Sequence, residues 1–436
     1  MEWQLILLLV FGGLIVLMLT GMPIAFCFML INIVGMYIFF GMLGLEQLIS
    51  SMYSSLNTFV LLPIPLFILM GEIMFHSGIA PVLIETIDKW LGRIPGRLSM
   101  LSVAVGTILS ALTGTSLASV AILGSVLVPE MEKHGYKKTM SLGPILGSGG
   151  LAMMIPPSAL AVLCGAIAEL SIGRILMAII FPGLLMAFIY AAYIVIRCLL
   201  QPSIAPVYEV ERSPLKEKIG ATVKYVLPQG IIVFLVVGVI FLGIATPSEA
   251  AATGCLGTFV LAICYGRLSW DVMKKAVFGT LNVTGMIFLI MCGATAFSQI
   301  LSFSGATTGI TSVATQLDVH PIVIIIFMQI IILFLGGLLD VVSIMMITLP
   351  IFVPVVVSLG FDPIWFAVLF LLNIEMAGTS PPFGMSLFVM KGVAPKDTAM
   401  ADIYWAALPF IGLDIIAMAM IMFFPNIALW LPGLMD

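Results

Sequence analysis

Eight apolar stretches punctuate this chain, at 4–20, 22–43, 58–76, 175–200, 225–245, 248–266, 280–302 and 405–430. A membrane-crossing helix needs about 20 such residues, because the hydrocarbon core is about 30 Å thick and a helix rises about 1.5 Å per residue. Composition agrees: 62% of the residues are hydrophobic and 9% charged, against about 45–50% and about 25% in soluble domains. Such a chain belongs in a lipid bilayer. That excludes a soluble enzyme, a nucleic-acid binder and a disordered scaffold. The first apolar stretch runs straight into the next, so it reads as a span rather than a cleaved leader. Cys27, Cys164, Cys198, Cys255, Cys264 and Cys292 all lie in apolar stretches without metal or redox spacing, and they read as small packing residues.

Four further apolar stretches are interrupted. Those at 98–128 and 321–357 are long enough to enter the membrane and return. Each carries a small polar cluster midway, Thr113-Gly114-Thr115-Ser116 in one and Gly336-Gly337 to Asp340 in the other. Those at 139–170 and 363–391 carry a break followed by two prolines: Gly147-Ser148-Gly149-Gly150 before Pro156-Pro157-Ser158, and Gly378-Thr379-Ser380 before Pro381-Pro382. Proline removes an amide donor and ends a helix. At membrane depth this is tolerated only where the backbone is buried in protein or lines a wet cavity.

Taking 98–128 and 321–357 as re-entrant hairpins, with the N-terminus outside, gives ten crossings and two external termini. All of the 17 Lys and Arg except Arg174 then face inside, as the positive-inside rule requires. The expected organisation is a first repeat (1–200), a polar cytoplasmic linker (201–222) and a second repeat (223–436). Pro23 pairs with Pro247 (offset 224), Pro95 with Pro321 (226), Pro129 with Pro354 (225), Pro156 and Pro157 with Pro381 and Pro382 (225), and Pro182 with Pro409 (227). Ser77-Gly78 matches Ser304-Gly305 (227), and Gly135-Tyr136 matches Gly360-Phe361 (225). Five crossings per half make the second half inverted. The fold class is an all-α polytopic membrane protein of two inverted repeats, each with a hairpin and a broken helix, as in transporters whose site lies between the repeats. The two hairpin tips are expected to meet near mid-membrane.

Asp340 stands at the tip of the second hairpin, and a carboxylate at membrane depth points to a role. With carbonyl oxygens around it, it reads as a Na⁺ ligand, a proton site or the N-cap of the helix that follows. Thr113, Thr115 and Ser116 hold the matching place in the first half, as ion ligands or as hydroxyls bonded to their own helix. Ser148 and Gly149, and Gly378 and Thr379, supply further oxygens from the breaks. Glu375 beside the second break reads as ion-linked or as half of a structural salt bridge. Glu72 reads as a structural pair, and Thr246-Pro247-Ser248-Glu249 as a capping box. His76, His134 and His320 read as interfacial, and Asp414 carries no role that its neighbours assign. With no Lys or Arg in the presumed core, an anionic substrate would meet the helix starts after Ser116, Pro157, Asp340 and Pro382, each a positive dipole end.

The segment Ile94-Pro95-Gly96…Thr113-Gly114-Thr115-Ser116…Gly124-Ser-Val-Leu-Val-Pro129-Glu-Met131…Gly135-Tyr136 resembles the large membrane (M) subunit of tripartite ATP-independent periplasmic (TRAP) transporters. So does Leu339-Asp340…Pro350…Pro354…Leu359-Gly360-Phe-Asp-Pro363 with Asn373…Thr379-Ser-Pro381-Pro382-Phe-Gly384. Arg97 and Ser119 depart from the residues common in that family. The resemblance implies Na⁺-coupled uptake of organic acids across a bacterial inner membrane by an elevator movement, with both termini periplasmic. It implies a periplasmic substrate-binding protein and a small four-helix membrane subunit, expected as a separate chain because the repeats use all 436 residues. It places one Na⁺ site at Gly114, Thr115, Ser116, Ser148 and Gly149, and a second at Gly337, Asp340, Gly378 and Thr379. The organic anion would lie against Ser116, Pro156, Pro157, Ser158, Asn373, Pro381 and Pro382. Sialic acid, a C4-dicarboxylate, a keto or sugar acid and a sulfonate all fit. The alternative is a stand-alone Na⁺/anion symporter of the same superfamily. An intramembrane enzyme would need a paired-acid, metal or Ser/Lys constellation that the sequence lacks.

Overall fold

The computed structural model describes residues 3–113, 115–208, 214–337 and 339–435. Among them every regular element is helical. The first half contains α1 (Trp3–Leu19), α2 (Ile24–Leu56), α3 (Pro63–His76), α4 (Ile79–Asp88), α5 (Arg97–Thr113), α6 (Ser116–Lys133), α7 (Lys138–Gly150), α8 (Ala159–Ile167), α9 (Ile172–Ala178) and α10 (Ile180–Leu200). The second contains α11 (Leu215–Ala221), α12 (Leu227–Phe241), α13 (Pro247–Cys264), α14 (Trp270–Phe303), α15 (Ala306–Gln316), α16 (Pro321–Gly336), α17 (Val341–Ser358), α18 (Pro363–Thr379), α19 (Met385–Val393), α20 (Met400–Phe423) and α21 (Asn426–Leu429). Eight helices, some joined across short turns, are long and apolar enough to cross a membrane.

Most expected spans fall where the apolar runs are. Three features differ. Helical structure resumes beyond the second span as far as Leu56, after Gly41, at φ 63° and ψ −144°, breaks α2 into two helical parts across a kink. Two short helices, α4 and α15, follow Gly78 and Gly305, whose φ values of 66° and 74° only glycine adopts easily. They fell below the length that marks a span. The segment expected as a polar linker is helical from Leu215, and a π-turn carries α11 into α12.

Contacts order the helices into two layers. In one, α2 lies along α14, and α3 lies on α13 and α14. Asn32 donates to the Gly293 carbonyl at 2.5 Å, and Ser51 donates to Gln299 at 2.5 Å. In the other, α7 packs on α5, α6 and α20, while α18 packs on α16 and α20. Lipid offers no hydrophobic drive for helices to associate, so close packing through small residues holds such layers together.

The ends of the molecule differ in charge. At one end Arg97 pairs with Asp88 (2.7 Å) and donates to Tyr208 (2.9 Å), on whose ring His134 stacks. There too Lys89 meets Glu217 (2.5 Å), Lys138 at the start of α7 meets Asp402 at the start of α20 (3.1 Å), and Tyr265 donates to the Lys224 carbonyl. Both the start of α5 and the end of α6 lie at this basic end, so that hairpin returns to the side it came from. The opposite end holds a cleft of about 890 Å³ between Phe59, Ser171, Ile240, Glu249 and Met435. α20 starts at the basic end and therefore finishes at the other. Trp365, early in α18, donates to the Ile421 carbonyl near that finish (3.0 Å) and stacks on Phe361, just past α17. The mouth of the α16–α17 hairpin thus lies opposite the basic end.

The order of elements recurs between the halves: α4 to α8 reappear as α15 to α19. Left-handed glycines recur with it, Gly41 with Gly266, Gly78 with Gly305 and Gly135 with Gly360. The bonds Pro156-Pro157 and Pro381-Pro382 are both cis.

Glycine lets α7 approach α20. A Cβ at Gly143 would lie 2.5 Å from the Ala406 carbonyl and 2.7 Å from the Phe410 ring. Overpacking of this kind costs about 1–3 kcal/mol. Gly143→Ala is expected to lower the thermal unfolding midpoint of the purified chain in lipid, and an unchanged midpoint would contradict the packing described.

Candidate functional site

Each hairpin tip rests against the broken helix of its own half. In the first half Thr115 is extended (φ −137°, ψ 131°) and α6 starts at Ser116. Gly114 lies outside the described residues. The last turn of α7, Gly147-Ser148-Gly149-Gly150, is fully buried, and each residue in it faces a different element. A Cβ at Gly147 would strike Phe410 of α20, at Gly149 it would strike Val120 of α6 near the Ser116 carbonyl, and at Gly150 it would strike the Glu375 carboxyl of α18. Ser148 faces Gly106 of α5, and its hydroxyl donates to the Ile145 carbonyl (3.4 Å). This is why the sequence there is nearly all glycine: four elements converge on one helical turn. Past it, Pro156 and Pro157 lead to Ser158, whose hydroxyl caps α8 by accepting from the Ala161 amide (3.3 Å).

In the second half, α16 ends at Gly336, where a Cβ would overlap Ala377 of α18. A Cβ at Gly337 would lie 3.9 Å from Pro382. Asp340 is the N-cap of α17: it accepts from the Ser343 amide (3.2 Å) and from the Ser343 hydroxyl. The N-cap role read from the sequence is therefore present, and the carboxylate keeps acceptor capacity beyond those two bonds. Thr379 and Ser380 both donate to the Met376 carbonyl (3.0 and 2.8 Å). Their hydroxyl lone pairs stay available to a cation. Gly384, ahead of α19, packs on the Gly378 and Ser380 carbonyls, and Tyr404 donates to the Pro382 carbonyl (3.0 Å). These carbonyl, hydroxyl and carboxylate oxygens are hard ligands that suit a hard cation.

Asn373 points elsewhere. Its amide donates to the carbonyl (2.6 Å) and side-chain oxygen (2.7 Å) of Gln329 in α16, fixing the hairpin stem to α18. The broken helices behind the two tips meet at Gly150 and Glu375. Asp414, unassigned from sequence, accepts from Tyr190 of α10. These partners could have been found: Gly150 and Glu375 stand 225 apart and Tyr190 and Asp414 224 apart, the spacing of the repeated prolines. Glu72 pairs with His76 (3.2 Å), and Thr246 with Glu249 forms the expected capping box.

Comparison with known proteins agrees with this architecture. The family described as the DctM component of tripartite ATP-independent periplasmic transporters matches residues 11–427. The chain is 29% identical to the C4-dicarboxylate TRAP transporter large permease of Pseudomonas aeruginosa, over 89% of this chain and 90% of that one. It is 29% identical to the ectoine large permease TeaC of Halomonas elongata (96% and 97% covered) and 26% identical to the sialic acid large permease SiaM of Vibrio cholerae (96% and 96%). Its fold is similar to that of the Alcanivorax borkumensis YdaH transporter, with a TM-score of 0.61 at 14% identity over 88% of this chain and 90% of that one. Fold and similarity together define a multi-pass membrane transport subunit, not an enzyme. The chain belongs to the DctM family of TRAP transporter components.

A side chain at Gly384 would come within 2.7 Å of the Gly378 carbonyl and 2.8 Å of the Ser380 carbonyl. Gly384→Ala is expected to spread these oxygens and reduce substrate uptake roughly tenfold, the effect of about 1.4 kcal/mol, with the protein still present in the membrane. Uptake at the wild-type rate would show that this loop plays no part in the site.

Proposed function

We propose that this chain is the large permease subunit of a Na⁺-coupled importer of a small organic anion. It works in a bacterial inner membrane, with both termini periplasmic, alongside a small four-helix membrane subunit and a periplasmic substrate-binding protein. The observation that carries the reading is the pair of helix breaks, each facing a hairpin tip and joined to each other at Gly150 and Glu375. In this reading the halves are inverted repeats. Helices α5–α10 and α16–α20 form the moving body, α1–α3 and α12–α14 the scaffold, and the short α4 and α15 the arms between them. Movement of such a body carries a site near mid-membrane from one side to the other, as an elevator does.

Two Na⁺ sites, one per half, fit the repeat. Gly337, Asp340, Gly378 and Thr379 would hold one ion, and Gly114, Thr115, Ser116, Ser148 and Gly149 the other. Segments 98–132, 139–173 and 339–390 contain no Lys or Arg. The anion would therefore be held by the bound cations and by the amides at the starts of α6, α8, α17 and α19, near Pro156, Pro157, Ser158, Pro381 and Pro382. The relatives are named for transport of a C4-dicarboxylate, ectoine and sialic acid, each of which carries a carboxylate. The sequence has no Gly-x-x-x-x-Gly-Lys-Ser/Thr loop to hold a nucleotide. The ion gradient and membrane potential then supply the energy, about 2.3 kcal/mol per charge per 100 mV. Two Na⁺ with a monoanion would be drawn inward by the potential; two with a dianion would not.

Purified subunits in proteoliposomes test this. An imposed Na⁺ gradient is expected to drive accumulation only when the loaded binding protein is added outside, without ATP. Accumulation without that protein would favour the stand-alone symporter, and uptake indifferent to Na⁺ would overturn both. Asp340→Asn sharpens the test, because Asn caps a helix as well as Asp does. That variant should fold normally and lose Na⁺-driven uptake; unchanged Na⁺ dependence would remove Asp340 from the ion site.

A further inference from the structure

Glu375 is 2% exposed, both of its carboxyl oxygens are buried, and among the described residues neither has a hydrogen-bond partner. It is the only titratable residue of α18. Among the helices packed on α18, α16, α17 and α21 carry no titratable residue. Lys138 of α7 pairs with Asp402 of α20 at the basic end, and Lys391 of α19 donates to the Thr398 carbonyl. Arg174 of α9 sits beside Ser171 at the cleft end, Cys164 of α8 is buried, and Tyr404 of α20 donates to Pro382. Gly147 of α7 packs on Phe410 of α20 and, one turn on, Gly150 packs on Glu375; Asp414 stands one turn beyond Phe410, on whose ring Tyr190 of α10 packs. Asp414 is itself 2% exposed and is bonded by Tyr190.

Two carboxyls thus share a buried site, and among the described residues the one side-chain donor bonded to either is the Tyr190 hydroxyl. An ionised carboxylate without a donor or counter-charge is too costly at such a place, so something positive must occupy it. A metal cation would need a shell of about six oxygens, whereas Glu375 is already pressed against the backbone at Gly150. A proton needs one oxygen and no room.

We propose that Glu375 and Asp414 form a proton-binding site, closed by Gly150 and Tyr190, that holds at least one proton. The proton comes from water and returns to it, and no bond other than O–H is made or broken. The site lies where the breaks of α7 and α18 meet. Losing the proton would leave charge against the Gly150 backbone and loosen that contact, so the proton keeps the two halves of the moving body together. This last step rests on the transport reading above; protonation of the site does not.

Infrared spectroscopy of the full chain in lipid bilayers, in Na⁺-free buffer at neutral pH, tests the site without turnover. The wild type should show a protonated-carboxyl C=O band that shifts in D₂O. Glu375→Gln should remove it, and Asp414→Asn should remove or shift it. If Glu375→Gln does not fold, Tyr190→Phe takes its place and should shift the band by deleting one hydroxyl. A band that none of the folded variants alters, or one that added Na⁺ abolishes in the wild type, overturns the proposal, the latter by making the site a cation's. In proteoliposomes, wild-type uptake should fall about tenfold from mildly acidic to alkaline pH, while Glu375→Gln should be flat. A wild-type profile without pH dependence would overturn the role in holding the halves together.

Discussion

Backbone amides and carbonyls left without partners in hydrocarbon cost several kcal/mol each. Six helices of this chain nevertheless end or begin in its interior: α7 at Gly150, α18 at Thr379, and the pairs α5–α6 and α16–α17 at their tips. These ends can exist only if protein covers them, and that requirement explains the packing around them. The Gly-Ser-Gly-Gly turn admits α5, α6, α18 and α20 at van der Waals distance. Gly336 admits α18, and Gly384 folds back over the carbonyls of Gly378 and Ser380. In the function proposed above, the amides and carbonyls at these protein-covered ends are what an ion and an anion would bind.

The halves share a backbone plan but differ in side-chain chemistry. Gly150 and Glu375 occupy equivalent places in the two halves and touch each other. Two equivalent positions meet when they lie close to the axis that relates their segments, as across an isologous interface. Two glutamates there would repel and two glycines would leave a void. One of each fills the space and leaves one buried carboxyl at the contact. Asp340 has no acidic counterpart in the first half, where Thr115 and Ser116 stand. Unequal charge in equal backbones would let the two sites differ in affinity.

Much of this was legible in the sequence. Spans follow from apolar length, breaks from the diprolines, and the capping box at Thr246 and Glu249 from four adjacent residues. What local pattern could not give is contact at long range. Asn373 reads as a residue beside the break, yet its donors are committed to Gln329, 44 residues away. Asp414 reads as an orphan until Tyr190 reaches it from the other half. Helices α4 and α15, of 10 and 11 residues, are too short to stand out in the sequence as spans. Glu72, read as one of a structural pair, has His76 one turn on, a spacing the sequence does display.

Opposed hairpins are the centre of the account, and sided chemical labelling tests them most directly. In a chain whose Cys255 and Cys264 are replaced by alanine, leaving the buried cysteines in place, single cysteines are introduced as Lys133→Cys and Ser358→Cys, both at exposed positions beyond the hairpin mouths. With a membrane-impermeant maleimide, the account predicts that the cysteine at 358 reacts from the periplasmic side and the one at 133 only from the cytoplasmic side. Reaction of both from the same side would contradict it.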